Sequence, residues 1–405
     1  MSQETQVGHR ASAPPSGGLV LLLGGMIVLG GVTVDLYLPS LPAVARDLGT
    51  SPAAAQATIS AGLIGAAAGQ LVVGPLSDRY GRRLPALVGL VVHVVTSVGC
   101  MLAPTVGALV GLRLLQGVAV AACGLTAMAV VRDRCSDSAA ARVISRLMLV
   151  FAVTPLIAPW LGGMIAGAAG WRAVFGVLAL AGAAVLAVVW RWLPETLPRE
   201  ARRAGGIGPA LRGYAALARD RRFVVLAVLG GLAWGVIISW IVGSPFTLQV
   251  EYGLSQERFG LVVALMSAAL MSGFQVNAVV VRTVEPLQVV RVATPAALVL
   301  AVLLMVIMRS GAGGLVGLLG VVWLLLATVS MIAPNTFALA LTRHGERAGS
   351  ATALLEFLQQ GTAALGSLLV GGLGGGGSAT ATAILVAAGA TLLLLALGTP
   401  TYRRG

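Results

Sequence analysis

Apolar residues in this chain come in runs of about 20, the length at which a helix rising about 1.5 Å per residue crosses roughly 30 Å of hydrocarbon. Such runs fall near 18–41, 54–76, 84–103, 106–130, 143–166 and 172–192, and again near 223–246, 259–281, 288–308, 314–337, 351–372 and 379–398. Of the 405 residues, 58% are hydrophobic and 10% charged. A soluble core cannot absorb that much apolar surface. The spacing predicts an all-α membrane protein of twelve spans, arranged as six, a basic linker and six more.

All 27 basic residues are arginine and the formal net charge is +13. A nucleic-acid binder would gather such charge on one face. Here the arginines sit in short loops between apolar runs, which is a mark of membrane topology. With the N-terminus placed in the cytoplasm, Arg46, Arg172, Arg258 and Arg309 fall outside and Arg113 falls within a span, so 22 of the 27 are cytoplasmic. That asymmetry supports the span count and predicts both termini on the cytoplasmic side of a bacterial inner membrane. The expected organisation is a tail at 1–17, a six-helix bundle at 18–193, a linker at 194–222, a second bundle at 223–399 and a tail at 400–405. The linker reads as a solvated tether against anionic headgroups. The first apolar run lacks a small-residue cleavage site and reads as a retained helix. Cys100, Cys123 and Cys135 show neither pairing nor metal-ligand spacing, and no metal or cofactor is expected.

An ionisable side chain inside a span costs several kcal/mol and survives where it faces a cavity or a partner. Asp35 lies roughly 9 Å below the outer end of the first span and Arg113 about 10 Å below that of the fourth. Equal depth suggests a pair, either a structural bridge or a carboxylate that exchanges protons beside an arginine. Gln116, three residues from Arg113 and on its face, joins the same candidate cavity. Glu356 is a second acid in the eleventh span; its alternatives are snorkelling or pairing with Arg343 or Arg347. His93 reads either as a hydrogen-bonded core histidine or as a proton relay. No paired intramembrane aspartates, H-E-x-x-H or serine with histidine is present, so an enzyme is not expected.

The loop after the second span reads GQLVVGPLSDRYGRR from Gly69 to Arg83. Gly74, Asp78, Arg79, Gly81, Arg82 and Arg83 match the G-x-x-x-D-R-x-G-R-R signature loop of the major facilitator superfamily. DLYLPSLP from Asp35 to Pro42, RLLQGVAVAACG from Arg113 to Gly124, TPLIAPWLGG and GWRAVF between Thr154 and Phe175, LPET at 193–196 and APNTFALAL resemble the Bcr/CflA group of drug:proton antiporters, a DHA1-type branch with 12 spans. The resemblance implies a major facilitator fold whose two six-helix bundles rock about a central site. It implies export of chemically varied small molecules against protons, with phenicols or bicyclomycin-like compounds as candidate cargo; a cavity lined mainly by Leu, Val, Ala, Met and Trp suits lipophilic or amphipathic molecules, and a monomer is expected. Transport of an endogenous metabolite, coupled to protons or facilitative, is the alternative. By position, Asp35 resembles the acid of the proton and drug site and Arg113 the arginine that modulates it. Pro155, Pro159, Gly162 and Gly163 resemble the antiporter motif. Asp78 is expected to bond the Arg82 region and Arg132 or Arg134. Three departures stand out: Ile27 where some members carry a second acid, Glu356 where a small residue is expected, and a loop at 281–288 without the signature's acid and arginine cluster.

Overall fold

A computed structural model describes residues 17–135, 137–202, 207–344 and 348–398; most of the expected N-terminal tail, the whole C-terminal tail, part of the linker and Arg347 lie outside these described residues. Among the described residues, twelve helices are long and apolar enough to span a bilayer, and their positions follow the twelve expected runs within a few residues for most. The helices are α1 (Gly17–Asp35), α2 (Leu41–Asp47), α3 (Pro52–Tyr80), α4 (Arg83–Met101), α5 (Val106–Arg134), α6 (Asp137–Ala169) and α7 (Trp171–Trp192) in the first half. A linker helix α8 (Ile207–Ala218) leads to α9 (Arg221–Pro245), α10 (Gln256–Val280), α11 (Pro286–Ser310), α12 (Gly314–Val329), α13 (Ile332–Leu341), α14 (Ala348–Gly372) and α15 (Gly377–Gly398).

Several expected spans are broken helices. α1 stops at Asp35, and the chain passes through a 3-10 turn at Leu38–Ser40 before α2 completes the crossing. Pro39 and Pro42 supply no N–H, so an unbroken α-helical ladder cannot cross this stretch. The seventh span ends in a wider π turn at Phe246–Glu251, and the tenth divides into α12 and α13. Polar caps set the clean starts: Ser51, Thr105 and Ser255 accept from the amides of Ala54, Ala108 and Arg258, three residues on in each case.

An even number of crossings puts α1's start, the Gly81 turn, α8 and α15's end on one face, here the terminal face; the turns at Gly49, Gly170, Gly253 and Gly374 lie on the opposite face. The linker is not the free tether expected. Tyr214 and Leu217 of α8 are buried with Phe223 of α9, Ala340 of α13 and Leu355 of α14, and the Tyr214 hydroxyl donates to the Leu71 carbonyl of α3 at 3.2 Å. Burial of those apolar side chains docks the helix.

The halves meet along α3 against α14 and α6 against α10. On the opposite-face side they are sealed. Gln56 Nε2 of α3 donates to the carbonyls of Val242 (3.2 Å) and Gly375 (3.0 Å) in the other half. Ser60 and Ser367 hydroxyls lie 2.6 Å apart, and Gln249 Nε2 donates to the Pro39 carbonyl at 3.0 Å. Asp47 accepts from Trp171 Nε1 (2.9 Å) and from Arg172, which fastens α2 to α7 on that face.

Candidate functional site

Asp35 is the last residue of α1, half-buried, at the point where the first span breaks. Among the described residues its carboxylate has no hydrogen bond or ion pair with the protein. The expected Asp35–Arg113 pair does not form. Arg113 Nη1 instead donates to the Thr33 carbonyl (3.2 Å) and to Gln116 Oε1 (2.6 Å), and the guanidinium lies 5.1 Å from the Tyr37 ring and 5.9 Å from that of Phe175. A helix that ends at Asp35 keeps the Leu36 amide on the Val32 carbonyl, and at the next carbonyl, Thr33, the guanidinium serves as donor to the negative end of the helix. Arg113 is 1% and Gln116 0% exposed, so both are packed between helices where the sequence suggested a cavity wall. Tyr37, fully buried, shares a hydroxyl contact with Thr58 at 3.0 Å and packs against Phe175 with ring centroids 4.9 Å apart and planes tilted by 44°.

α6 carries the Pro155, Pro159, Gly162 and Gly163 run, and each of its elements touches something specific. Pro159 has no N–H, so the Pro155 carbonyl four residues back is free of its helical bond. Ser267 of α10, in the other half, lies 3.1 Å from that oxygen. A Cβ on Gly162 would meet the Leu36 carbonyl at 2.0 Å, and one on Gly163 would meet the Gln256 carbonyl of α10 at 2.4 Å. α6 is thus wedged between the residue after Asp35 and the opposite half, closer than any larger side chain allows.

On the terminal face, Arg82 bridges two carboxylates: Nη1 to Asp78 at 2.7 Å and Nε to Asp133 at 2.8 Å. Asp78 thus bonds Arg82 as expected, but neither Arg132 nor Arg134; the acid between those two, Asp133, meets Arg82 instead. Burial opposes the Arg82 charge, but Asp133 and Asp78 together raise its pKa. Glu195 of the LPET run accepts from the Arg82 amide (2.8 Å) and the Arg83 amide (3.4 Å), capping the start of α4. Partial burial pushes its carboxyl up, and the amides of Arg82, Leu197 and Arg83 with the Arg202 guanidinium more than offset this, holding it below the usual range. Gly81 turns the chain at φ +94°, where a Cβ would strike Glu195 at 2.2 Å. Arg79 is exposed over the Tyr80 ring, Arg83 Nη2 donates to the Trp190 carbonyl at 2.6 Å, and Gly74 faces open space.

The sequence profile described as Major Facilitator Superfamily matches residues 21–367. The chain belongs to the Major Facilitator Superfamily. It is 34% identical to an uncharacterized MFS-type transporter, YdgK, of Bacillus subtilis (strain 168), over 90% of both chains. It is 30% identical to a chloramphenicol resistance protein of Pseudomonas aeruginosa, covering 88% of this chain and 82% of that one. The crystal structure of a D-xylose-proton symporter superposes with a TM-score of 0.74 at 16% identity, covering 95% of this chain and 98% of the other, and so shares the fold. The molecule is therefore a multi-pass membrane transporter of this superfamily, not an enzyme.

Within that superfamily fold, Glu356 sits on α14 half-buried and without a hydrogen bond or ion pair among the described residues, Arg343 included. It shares a helix face with Ser367 and Gly371, eleven and fifteen residues on, and these two meet Ser60 and Ala53 of α3. His93 is fully buried, with Nε2 2.9 Å from Thr33 Oγ1. Sequence reasoning missed Thr33, Tyr37, Ser97, Asp133 and Phe175. Tyr37 lies inside the DLYLPSLP run and Asp133 between two arginines, so both had a local signal; Thr33 and Ser97 are ordinary intramembrane hydroxyls and had none.

Proposed function

We propose that the chain exports small lipophilic or amphipathic organic molecules in exchange for protons, by alternating access across a bacterial cytoplasmic membrane with the terminal face inward. The observation that carries this reading is Asp35: a carboxylate at intramembrane depth, at the break of the first span, with no protein counter-charge among the described residues. Such a group is costly unless it exchanges a proton or meets a ligand. The arginine asymmetry supports the orientation, and the resistance proteins among the relatives support drug-like cargo. In the cycle, Asp35 takes a proton from the outer side and releases it inward as cargo loads. Arg113 and Gln116 act from behind α1, and Glu356 supplies a second acid in the other half. The chain works as a monomer.

The test is an efflux and susceptibility panel, phenicols and bicyclomycin included, in an efflux-deficient bacterium expressing wild type, Asp35→Asn or empty vector, with and without a protonophore. Protonophore-sensitive resistance in wild type alone is the expected result. Equal efflux by Asp35→Asn would remove the carboxylate from coupling. Cargo accumulation in place of efflux would replace export by metabolite uptake.

A further inference from the structure

A closed circuit of hydrogen bonds joins α1, α4 and α5 behind Asp35. Arg113 Nη1 donates to the Thr33 carbonyl and to Gln116 Oε1. Gln116 Nε2 donates to Ser97 Oγ at 2.7 Å, Ser97 Oγ donates to the His93 carbonyl at 2.7 Å, and His93 Nε2 lies 2.9 Å from Thr33 Oγ1. Thr33, His93, Ser97, Arg113 and Gln116 are each 3% exposed or less.

Donor counting fixes the one open assignment. The Thr33 hydroxyl has a single proton and two neighbours, the Leu29 carbonyl at 2.5 Å, which can only accept, and His93 Nε2 at 2.9 Å. With the proton on the shorter bond, the hydroxyl accepts from His93 and Nε2 is the donor. Nδ1 is then a bare lone pair, and indeed that atom is buried without a partner. It faces Gly182 of α7, where a Cβ would come within 2.7 Å. An imidazolium would aim a second N–H at that apolar wall, beside the Arg113 cation. The charged group that acts on the ring is Arg113 on α5; Asp35 lies two residues past Thr33 on α1, and on α7 it is the Gly182 backbone that stands against Nδ1.

We propose that His93 is a positioning residue: a neutral imidazole fixed as the Nε2–H tautomer, whose bond to Thr33 seats the end of α1, and with it Asp35, on the Arg113 guanidinium. This excludes a relay through His93. Its effect on turnover rests on the proton-exchange reading of Asp35, but the tautomer and the circuit do not. Without that bond the end of α1 is no longer held on α4 and α5, and the Asp35 carboxylate two residues past Thr33 shifts with it, slowing release and uptake of the proton without touching cargo contacts.

The experiment uses the full chain in proteoliposomes with 15N-labelled histidine. Three histidines are present, so the His93 signal is assigned by its loss in His93→Gln. An unchanging Nε2–H pattern from about pH 5.5 to 8, with the Nε2 resonance displaced by Thr33→Val and by Arg113→Gln, is the expected result. An imidazolium in that range, the Nδ1–H tautomer, or indifference to Arg113→Gln overturns the assignment. In the second arm, with chloramphenicol as transported probe, His93→Leu and Gly182→Ala should cut turnover about tenfold at unchanged KM, while His93→Gln, which keeps a donor near Nε2, recovers most of it. Wild-type turnover in His93→Leu overturns the positioning role. Failure of wild type to move the probe would count against the export reading, and the resonances would still decide the His93 assignment.

Discussion

The Ser267 hydroxyl of α10 lies 3.1 Å from the Pro155 carbonyl of α6, an oxygen left free because the residue four places on is Pro159, and shares its proton with the Val263 carbonyl at 2.9 Å. A missing donor in one half thus creates an acceptor for the other. Pro159→Ala restores the helical N–H, straightens α6 and competes with Ser267. The protein should insert normally and melt at the same or a higher temperature, yet transport should fall about tenfold; Ser267→Ala should cost about 1 kcal/mol or less. Efflux and thermal melts on the same preparations separate these effects.

Gly162 and Gly163 should tolerate no side chain. The atoms a Cβ would strike are main-chain oxygens of Leu36 and Gln256, which cannot rotate away. Gly162→Ala is expected to destabilise by about 1–3 kcal/mol and to disturb the segment after Asp35. The measurement is the melting temperature in detergent; an unchanged melt with full efflux would contradict the close packing.

Glu195 should make stability depend on acid. Its folded pKa lies below the ordinary value, so its contribution is complete above about pH 4.5 and is lost as pH falls through the lower folded value. At pH 7, Glu195→Gln should melt below wild type, and the two curves should converge once the pH has fallen below the lowered folded value. A gap that persists in acid would mean that the amide contacts, and not the charge, cap α4.

Gln56 bonds two carbonyls of the other half across the seam on the opposite face. Gln56→Ala should loosen that seam and shift the protein towards the state open on this side. A cysteine at Ser60, one turn deeper, should then react several-fold faster with a membrane-impermeant maleimide given access to that face. No change in rate would show that apolar packing alone keeps the seam shut.

The sequence by itself determined the span count and the arginine-rich face, because these follow from hydropathy and from charge. Each is a local property of the chain. The break at Asp35 within the expected 18–41 span came only with the structure. The sequence also marked Asp35, Arg113, Pro159 and the Gly162–Gly163 pair. Their partners were decided only in three dimensions. Depth along separate helices suggested that Asp35 and Arg113 pair, but helix rotation and the unpaired carbonyls at the end of α1 send the guanidinium to Thr33 and Gln116. Asp133, Glu195 and Ser267 became partners of Arg82, the α4 amides and Pro155 through packing between elements far apart in the chain. Hydrogen bonds reach only about 3 Å, so which distant residues meet depends on the rotation and register of whole helices, and neither is written in any one segment.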